Sequence, residues 1–563
     1  MCSHRKETEL PSSSRNRKRR QKSQRRSVNL LTILGCIAGA FCLVVVLACV
    51  VGATWLIGLP DYSTISSYAN TGITTIYAND RETVLAKLYL ENRIEVTQDE
   101  VVDYVLEGTI ATEDERFYEH GGIDPIGIAR AVIVNAASRG ASEGASTITQ
   151  QLVRNTVLLD EMNDIIDNRL LPDAYGAADL GRPTLYAAAA LKSRAAMYAG
   201  SIASWGTVQI DGLVGIPADK KEHFWQESLN ASNRLLYGSP FALYEKYPDD
   251  RSKNYRNIFL DENNCEVIFS EIYDGKSGKG HSWDMWQNPS GYNAWAGGQQ
   301  NCVYLEFVES YENIDGSDPT IDREKVAQYY TWTLDELWGK KDPRFKASIY
   351  TQGTPWTHEG ASVTLDYHVG IFVDGQWIND GFYEGVPALG VCANNWRPTP
   401  FGILKYLDES SAMIPERYYS KTDWIVFRLG EIYLNFAEAA FELNKPDSAL
   451  WAVNKIRARA GMPELQSITR EQIRHERKIE LAFEGNRYWD VRRWRTAVQD
   501  LSHAWHGMRY KLDWATQKYY VEIVDNICGT PEPYFNEMHY YWPIAQSRTQ
   551  QNPNLLPNNP GWR

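Results

Sequence analysis

The chain has 563 residues, 43% hydrophobic and 23% charged, a length that allows about two to four domains, each able to bury a full core. Its formal net charge is −13, and because residues 1–27 hold ten Lys and Arg against Glu7 and Glu9, the rest carries −21; an acidic body of this kind argues against nucleic acid as a partner. Aromatic content is 12%, with 19 Trp and 33 Tyr concentrated after residue 190, which suits rings presented to sugars and equally suits a large helical core.

Taken from the N-terminus, the first element is a membrane anchor. Residues 28–60 read VNLLTILGCIAGAFCLVVVLACVVGATWLIGLP without a charge, where about 20 apolar residues suffice to cross a bilayer. The basic tail of 1–27 holds its end in the cytoplasm, so the chain after residue 60 is extracytoplasmic. The residues behind Cys49 stay apolar, unlike those behind a lipoprotein cleavage site, and an uncleaved single-pass transmembrane helix is expected. Cys265, Cys302, Cys392 and Cys528 are widely separated and show no zinc spacing. Neither a metal nor another cofactor is called for.

Past the anchor, SSYANTGITTIYANDRETVLAKLYLENRIEVT alternates in short stretches around Asn79 and Asp80, as strands or extended linker do. The spacing then predicts a helix over 98–111, with Val102, Val105, Leu106 and Ile110 on one side, which delivers Glu113 and Asp114 at its end. From there EDERFYEHGGID followed by GIARA, and then GASTITQQ from Gly144 to Gln151, resembles the two leading motifs of the peptidoglycan glycosyltransferase domain of penicillin-binding proteins. The resemblance implies a lysozyme-like lobe acting on lipid II, with Glu113 as the base for the sugar hydroxyl and Asp114, Phe117 and His120 shaping the loop around it. Ser146, Thr147, Gln150 and Gln151 then line the groove, and Arg154 stands where the family places a cation for the pyrophosphate leaving group. The family's second acid, in an RKxxE motif, and its KxxILExYLN helix do not follow Arg154, and no penicillin-binding serine is present. Residues 61–158 are therefore expected to be a truncated and inactive glycosyltransferase region.

From residue 159 the register changes. EMNDIIDNRLLP and PTLYAAAALKSRAAMYAGSIAS read as helices rich in Ala and Leu. With NCEVIFSEIY, YLEFVESYENIDGS, KKDPRFKASIY, the long run DWIVFRLGEIYLNFAEAAFELNKPDSALWAVNKIRARAGMPELQSITREQIRHERKIELAFEGNRYWDVRRW and the closing YYWPIAQSRTQQNPNLLPNNPGW, they resemble the SusD/RagB family of outer-membrane glycan-binding lipoproteins. The resemblance implies an α-helical domain over 159–563 with tetratricopeptide-type helices and long irregular loops. It also implies non-enzymatic glycan binding for nutrient uptake, at the outer-membrane surface, and delivery to a TonB-dependent SusC-like transporter. The family's lipidated cysteine and the first part of its fold are not matched.

Within this part, Glu431, Leu434, Ala437, Glu438 and Phe441 continue one helix, and 450–459 and 469–484 form two more with apolar stripes. Arg457, Arg459, Arg477, Glu480, Glu484, Arg487, Asp490, Arg492 and Arg493 stand among Phe483, Trp489 and Trp494 and read as a buried ion-pair network. The loop HSWDMWQNPSGYNAWAGGQQN, 281–301, lacks a helical or strand period and offers Trp283, Trp286, Tyr292 and Trp295 as sugar-stacking rings, with Asp284, Gln287, Asn288 and Asn293 between them. Packing of the same rings onto the helices is the competing expectation.

The overall expectation is mainly α: basic tail 1–27, transmembrane helix 28–60, partial glycosyltransferase lobe 61–158 and SusD-like domain 159–563. Three functions compete, namely glycan binding, a membrane-anchored glycosyltransferase acting on lipid II, and a composite of two truncated families with neither function intact. The last is suggested by a seam placed between Asn155 and Glu161, where NTVLLDEMND lacks linker character.

Overall fold

A computed structural model describes residues 169–562 apart from short segments (177–178, 211, 213, 276–278, 293–297, 394–398, 410–417, 529–532 and 552–554), together with 165–166 and two strands nearer the N-terminus. The chain divides into two units, Met1–Leu159 and Asp160–Arg563. In the first, β1 (Thr74–Tyr77) pairs antiparallel with β2 (Val84–Leu88), from Thr74 opposite Leu88 to Tyr77 opposite Val84, with an irregularity after Ile76. The predicted anchor 28–60 and the helix 98–111 lie outside the described residues. Among the described residues no helix is long and apolar enough to cross a membrane.

The second unit opens with α1 (Leu185–Trp205), whose N-terminus is capped by the Thr184 side chain accepting from the Ala187 N–H. Alanine-rich sequence favours the helix intrinsically, and its small residues let a neighbour approach. A Cβ on Gly200 would stand 2.8 Å from the Trp225 ring, so α1 and α2 (Lys221–Gly238) are locked at that point by glycine against indole. Ser193 and Ser232 hydrogen-bond across the same seam at 2.8 Å. The helix expected over 161–172 does not run its length. Arg169 takes φ +54 and residues 169–172 are turn and coil, as the approach to Pro172 favours.

Next come β3 (Val267–Glu271) and the short α3 (Trp283–Gln287). Although 281–301 shows no helical or strand period, 283–287 is helical and Ser290–Tyr292 forms a 3-10 turn. Downstream lie β4 (Thr331–Trp332), β5 (His368–Val373), β6 (Gln376–Ile378) and β7 (Trp424–Arg428), which pairs antiparallel with β3. Four helices follow, α4 (Leu429–Glu442), α5 (Pro446–Ala460), α6 (Arg470–Glu480) and α7 (Arg487–Arg493). The chain closes on β8 (Gly507–Asp513) and β9 (Lys518–Val524). A capping box of Thr469 and Gln472 starts α6. The predicted helix 469–484 stops at Glu480 because Phe483 at φ +62 and Gly485 at φ +80 turn the chain left-handed.

The larger correction concerns the loops. A five-stranded mixed sheet in the order β4-β9-β8-β5-β6 occupies part of what read as irregular chain. Its β8–β9 hairpin runs from Gly507 opposite Val524 to Asp513 opposite Lys518, while β8 lies parallel to β5. Met508, Tyr510 and Val521 from this sheet are buried in one apolar core with Trp332, Trp338, Phe345 and Trp356. A second core gathers Met197, Trp225 and Leu229 with the alanines of α4 and α5. Many of the rings counted in the sequence therefore serve packing.

The charged residues around α6 form a buried web. Glu480 accepts from Arg428 at 2.7 Å and Arg344 at 2.9 Å and also pairs with Arg459. Glu266 bridges Arg428 and Arg459, 2.8 Å from each, and Glu484 takes Arg428 at 2.7 Å and Lys405 at 2.6 Å. Asp490 joins Arg477 to Arg493, which continues to Glu438. Arg457 reaches Glu476 at 3.1 Å, and Arg492 donates to the carbonyls of His539 and Tyr540. Arg487 departs from the pattern, sharing a partly exposed pair with Asp500. Burial pushes the Glu480 carboxyl upward, but Arg459, Arg428 and Arg344 outweigh it and hold the group well below the usual range. Gly430 makes the web possible, since a Cβ there would stand 2.2 Å from Arg428 Nη1 and 2.8 Å from Glu266 Oε1.

Candidate functional site

The β3–β7 ladder carries Trp424 at the start of β7 and leads out of β3 to Tyr273. Across from them α3 presents Trp283 and Trp286, and the four rings surround a cavity of about 540 Å³ that also touches Gln300, Asn301 and Thr422. Two of the rings are held by their neighbours. Trp424 stacks on Tyr406 with centroids 4.8 Å apart and planes at 26°, and Trp283 spends its indole N–H on the Lys405 carbonyl at 3.1 Å. An aromatic wall held in this way loses little side-chain freedom when a ligand arrives.

His281 acts as a bracket at the cavity's edge. Its Nε2–H donates to the Thr422 carbonyl at 2.9 Å while Nδ1 accepts from the Trp283 N–H at 3.1 Å, so both ring nitrogens are used by backbone and the imidazole is neutral. Burial lowers its pKa from the usual value. Asp284 faces away from the cavity. Its Oδ1 accepts from the Asp408 N–H at 3.0 Å, and burial pushes its carboxyl up to about 7 against the hydrogen bonds from Asp408 and Ser420.

The predicted recognition residues therefore separate. Trp283, Trp286 and Gln287 share the cavity. Tyr292 is not among its lining residues; it packs on the apolar core and meets His358 with centroids 4.9 Å apart. Trp295 and Asn293 lie outside the described residues. Asp284, Gln287 and Asn288 are buried and bonded within the protein: Gln287 holds Asn301 at 3.1 Å and Asn288 holds the Tyr292 carbonyl at 2.7 Å. The polar side chains at the cavity are Ser282, Gln287, Gln300, Asn301 and Thr422, beside His281. Tyr273, Tyr406 and Trp424 were missed as lining residues. The β3–β7 pairing, between segments about 150 residues apart, brings Tyr273 and Trp424 together, and Tyr406 joins them by stacking on Trp424. Glu113, Asp114, Phe117, His120, Ser146, Thr147, Gln150, Gln151 and Arg154 lie outside the described residues.

Paired helices, a mixed sheet and a cavity walled by tryptophan define a helix-rich class of protein with a concave aromatic surface. Comparison with known proteins makes this specific. The family model described as the SusD family matches residues 265–562, more than half of the chain, and the chain belongs to that family. A SusD-like protein from Bacteroides fragilis NCTC 9343 superposes with a TM-score of 0.53 at 23% identity, covering 73% of this chain and 71% of that one. A SusD-like carbohydrate binding protein from the same organism gives 0.50 at 22% identity, covering 75% and 73%. At these identities the likeness is one of fold. A second family model, described as transglycosylase, matches residues 81–180. Penicillin-binding protein 1A of Escherichia coli strain K12 is 47% identical over 103 residues, and that of Vibrio cholerae is 43% identical over the same length. Each match takes in 18% of this chain and 12% of the relative, so the chain spans about an eighth of the length of these penicillin-binding proteins.

Proposed function

We propose that the chain binds a glycan without cleaving it, at the cavity walled by Trp283, Trp286, Trp424 and Tyr273. The observation that carries this reading is the wall itself: four rings, of which Trp283 and Trp424 are held by Lys405 and Tyr406, facing a space of about 540 Å³ that Gln300 and Asn301 also line. Pyranose C–H faces stack on such rings, and amides select hydroxyl positions. The SusD family supports the ligand class, and transfer of the glycan to a TonB-dependent transporter is the corresponding partner proposal. Both matched families support a membrane or envelope location.

Retardation of the full chain in native gels containing a panel of polysaccharides tests the reading. Trp286→Ala should weaken binding to a retained polysaccharide by about tenfold, the order of one ring hot spot, with the far-UV spectrum unchanged. No retardation by any polysaccharide, or full retention in both Trp286→Ala and Trp424→Ala, would assign the cavity to packing.

The identity to penicillin-binding protein 1A across the segment holding Glu113 favours a second reading, peptidoglycan polymerisation from lipid II. We hold that segment inactive, because the second acid is missing and preorganised charge is the largest catalytic contribution in most such sites.

A further inference from the structure

A second hollow, of about 410 Å³, opens where the end of α6 passes into α7. It shares no lining residue with the tryptophan cavity. Its wall is mainly carbon, from Phe307, Phe483, Tyr488 and Trp505, and Trp505 is held by Tyr304 stacked on it at 4.9 Å and 13°. Two cations enter this apolar space, Lys478 and Arg487. Arg487 is answered by Asp500 at 3.3 Å. Lys478 has no hydrogen-bond or ion-pair partner among the described residues, and its Nζ lies 5.3 Å from the centre of the Phe307 ring. Burial lowers its pKa to about 8 with Arg487 acting the same way, while Asp500 and Glu306 act against it. Glu306 is already engaged by His506.

The backbone beside Lys478 turns left-handed at Phe483 and Gly485, both of which line the hollow. Phe483 adopts φ +62, a conformation that is strained for a bulky residue and persists where the surroundings impose it. Its ring lies 5.4 Å from that of Phe307, while the next residue, Glu484, turns into the buried web to meet Arg428 and Lys405. Gly485 follows at φ +80 with no atom within 4 Å of the position a Cβ would take. An ammonium partly stripped of water and left unpaired is unfavourable, and an incoming anion removes that penalty. A single ammonium without a direct carboxylate partner matches a monoanion better than a phosphate, and the carbon wall asks for a ring.

We propose that this hollow binds a carboxylate carried on a ring, either a uronic acid residue or an aromatic acid, with the carboxylate at Lys478 and Arg487 and the ring against Tyr488 and Trp505. The assignment is independent of the glycan cavity. The test is calorimetric titration of the full chain in detergent with D-glucuronate, benzoate, D-glucose and inorganic phosphate. At least one of the two acids should bind no less than tenfold tighter than glucose and phosphate, and which acid does so names the source. Lys478→Gln should abolish the preference for the acid, Lys478→Arg should retain it, and Tyr488→Ala should weaken it. Trp286→Ala, in the other cavity, should leave it unchanged. The proposal fails if neither acid exceeds glucose, if phosphate binds as tightly as the acids, if folded Lys478→Gln keeps the preference, or if Trp286→Ala removes it.

Discussion

Replacing Glu480 by Gln tests whether the web around α6 is a balanced charge assembly. Five buried acids, Asp342, Glu266, Glu476, Glu480 and Glu484, face five buried bases, Arg344, Arg428, Arg457, Arg459 and Lys405. Glu480 is fully buried and shared by three guanidiniums. Gln keeps the volume, but it removes the charge and turns an amide donor toward groups that can only donate. Breaking a buried pair in this way costs about 3–5 kcal/mol, because the remaining charge stays desolvated. The assay is urea unfolding of the full chain in detergent followed by tryptophan emission, since every Trp except Trp55 lies beyond residue 200. Lys340→Gln, in an exposed pair with Asp315, is the control and should leave the midpoint in place. A shift for Glu480→Gln equivalent to less than about 1 kcal/mol would refute the reasoning, since the web would then be tolerating a large uncompensated charge. The pH dependence has a fixed sign. A carboxyl whose folded pKa lies below its unfolded value of 4.5 stabilises fully above about pH 4.5, and that stability is lost as pH falls toward the folded value.

Gly430→Ala should destabilise by about 2–4 kcal/mol, because the added methyl lands on Arg428 and Glu266 inside the web and neither has room to withdraw; a urea midpoint equal to that of the parent would show that the web can shift. Asp284 titrates in the opposite sense to Glu480. Its folded pKa of about 7 against 3.8 makes stability fall as pH rises between those values, by an amount on the order of 4 kcal/mol. Asp284→Asn, which can still accept from Asp408, should flatten this slope and raise the midpoint at pH 8, and a slope that survives the substitution would place the titration elsewhere. Lipid II incubated with the full chain should yield no glycan polymer; polymer that disappears in Glu113→Gln would restore the enzyme reading.

The two family signatures were legible because they are local strings, as were α1, α4 and α5, whose helical spacing and small residues depend on neighbours three or four positions away. The buried web was also readable, since several arginines and acids set among aromatic residues in one stretch have few ways to be desolvated except as pairs. The β8–β9 hairpin left a trace in MRYKLDWATQKYYVEIV, an alternation around a four-residue turn, but its parallel pairing with β5 joins segments about 140 residues apart and has no local signature. The recognition loop shows the same limit. Sequence supplied Trp283 and Trp286, yet it gave no means of telling them from Tyr292, which packs on the core, or of seeing that Asp284 and Gln287 are spent on internal hydrogen bonds. Which face of a ring remains open depends on what the distant chain places beside it: Trp424 reaches the cavity only once β7 pairs with β3, and Tyr406 then stacks on it.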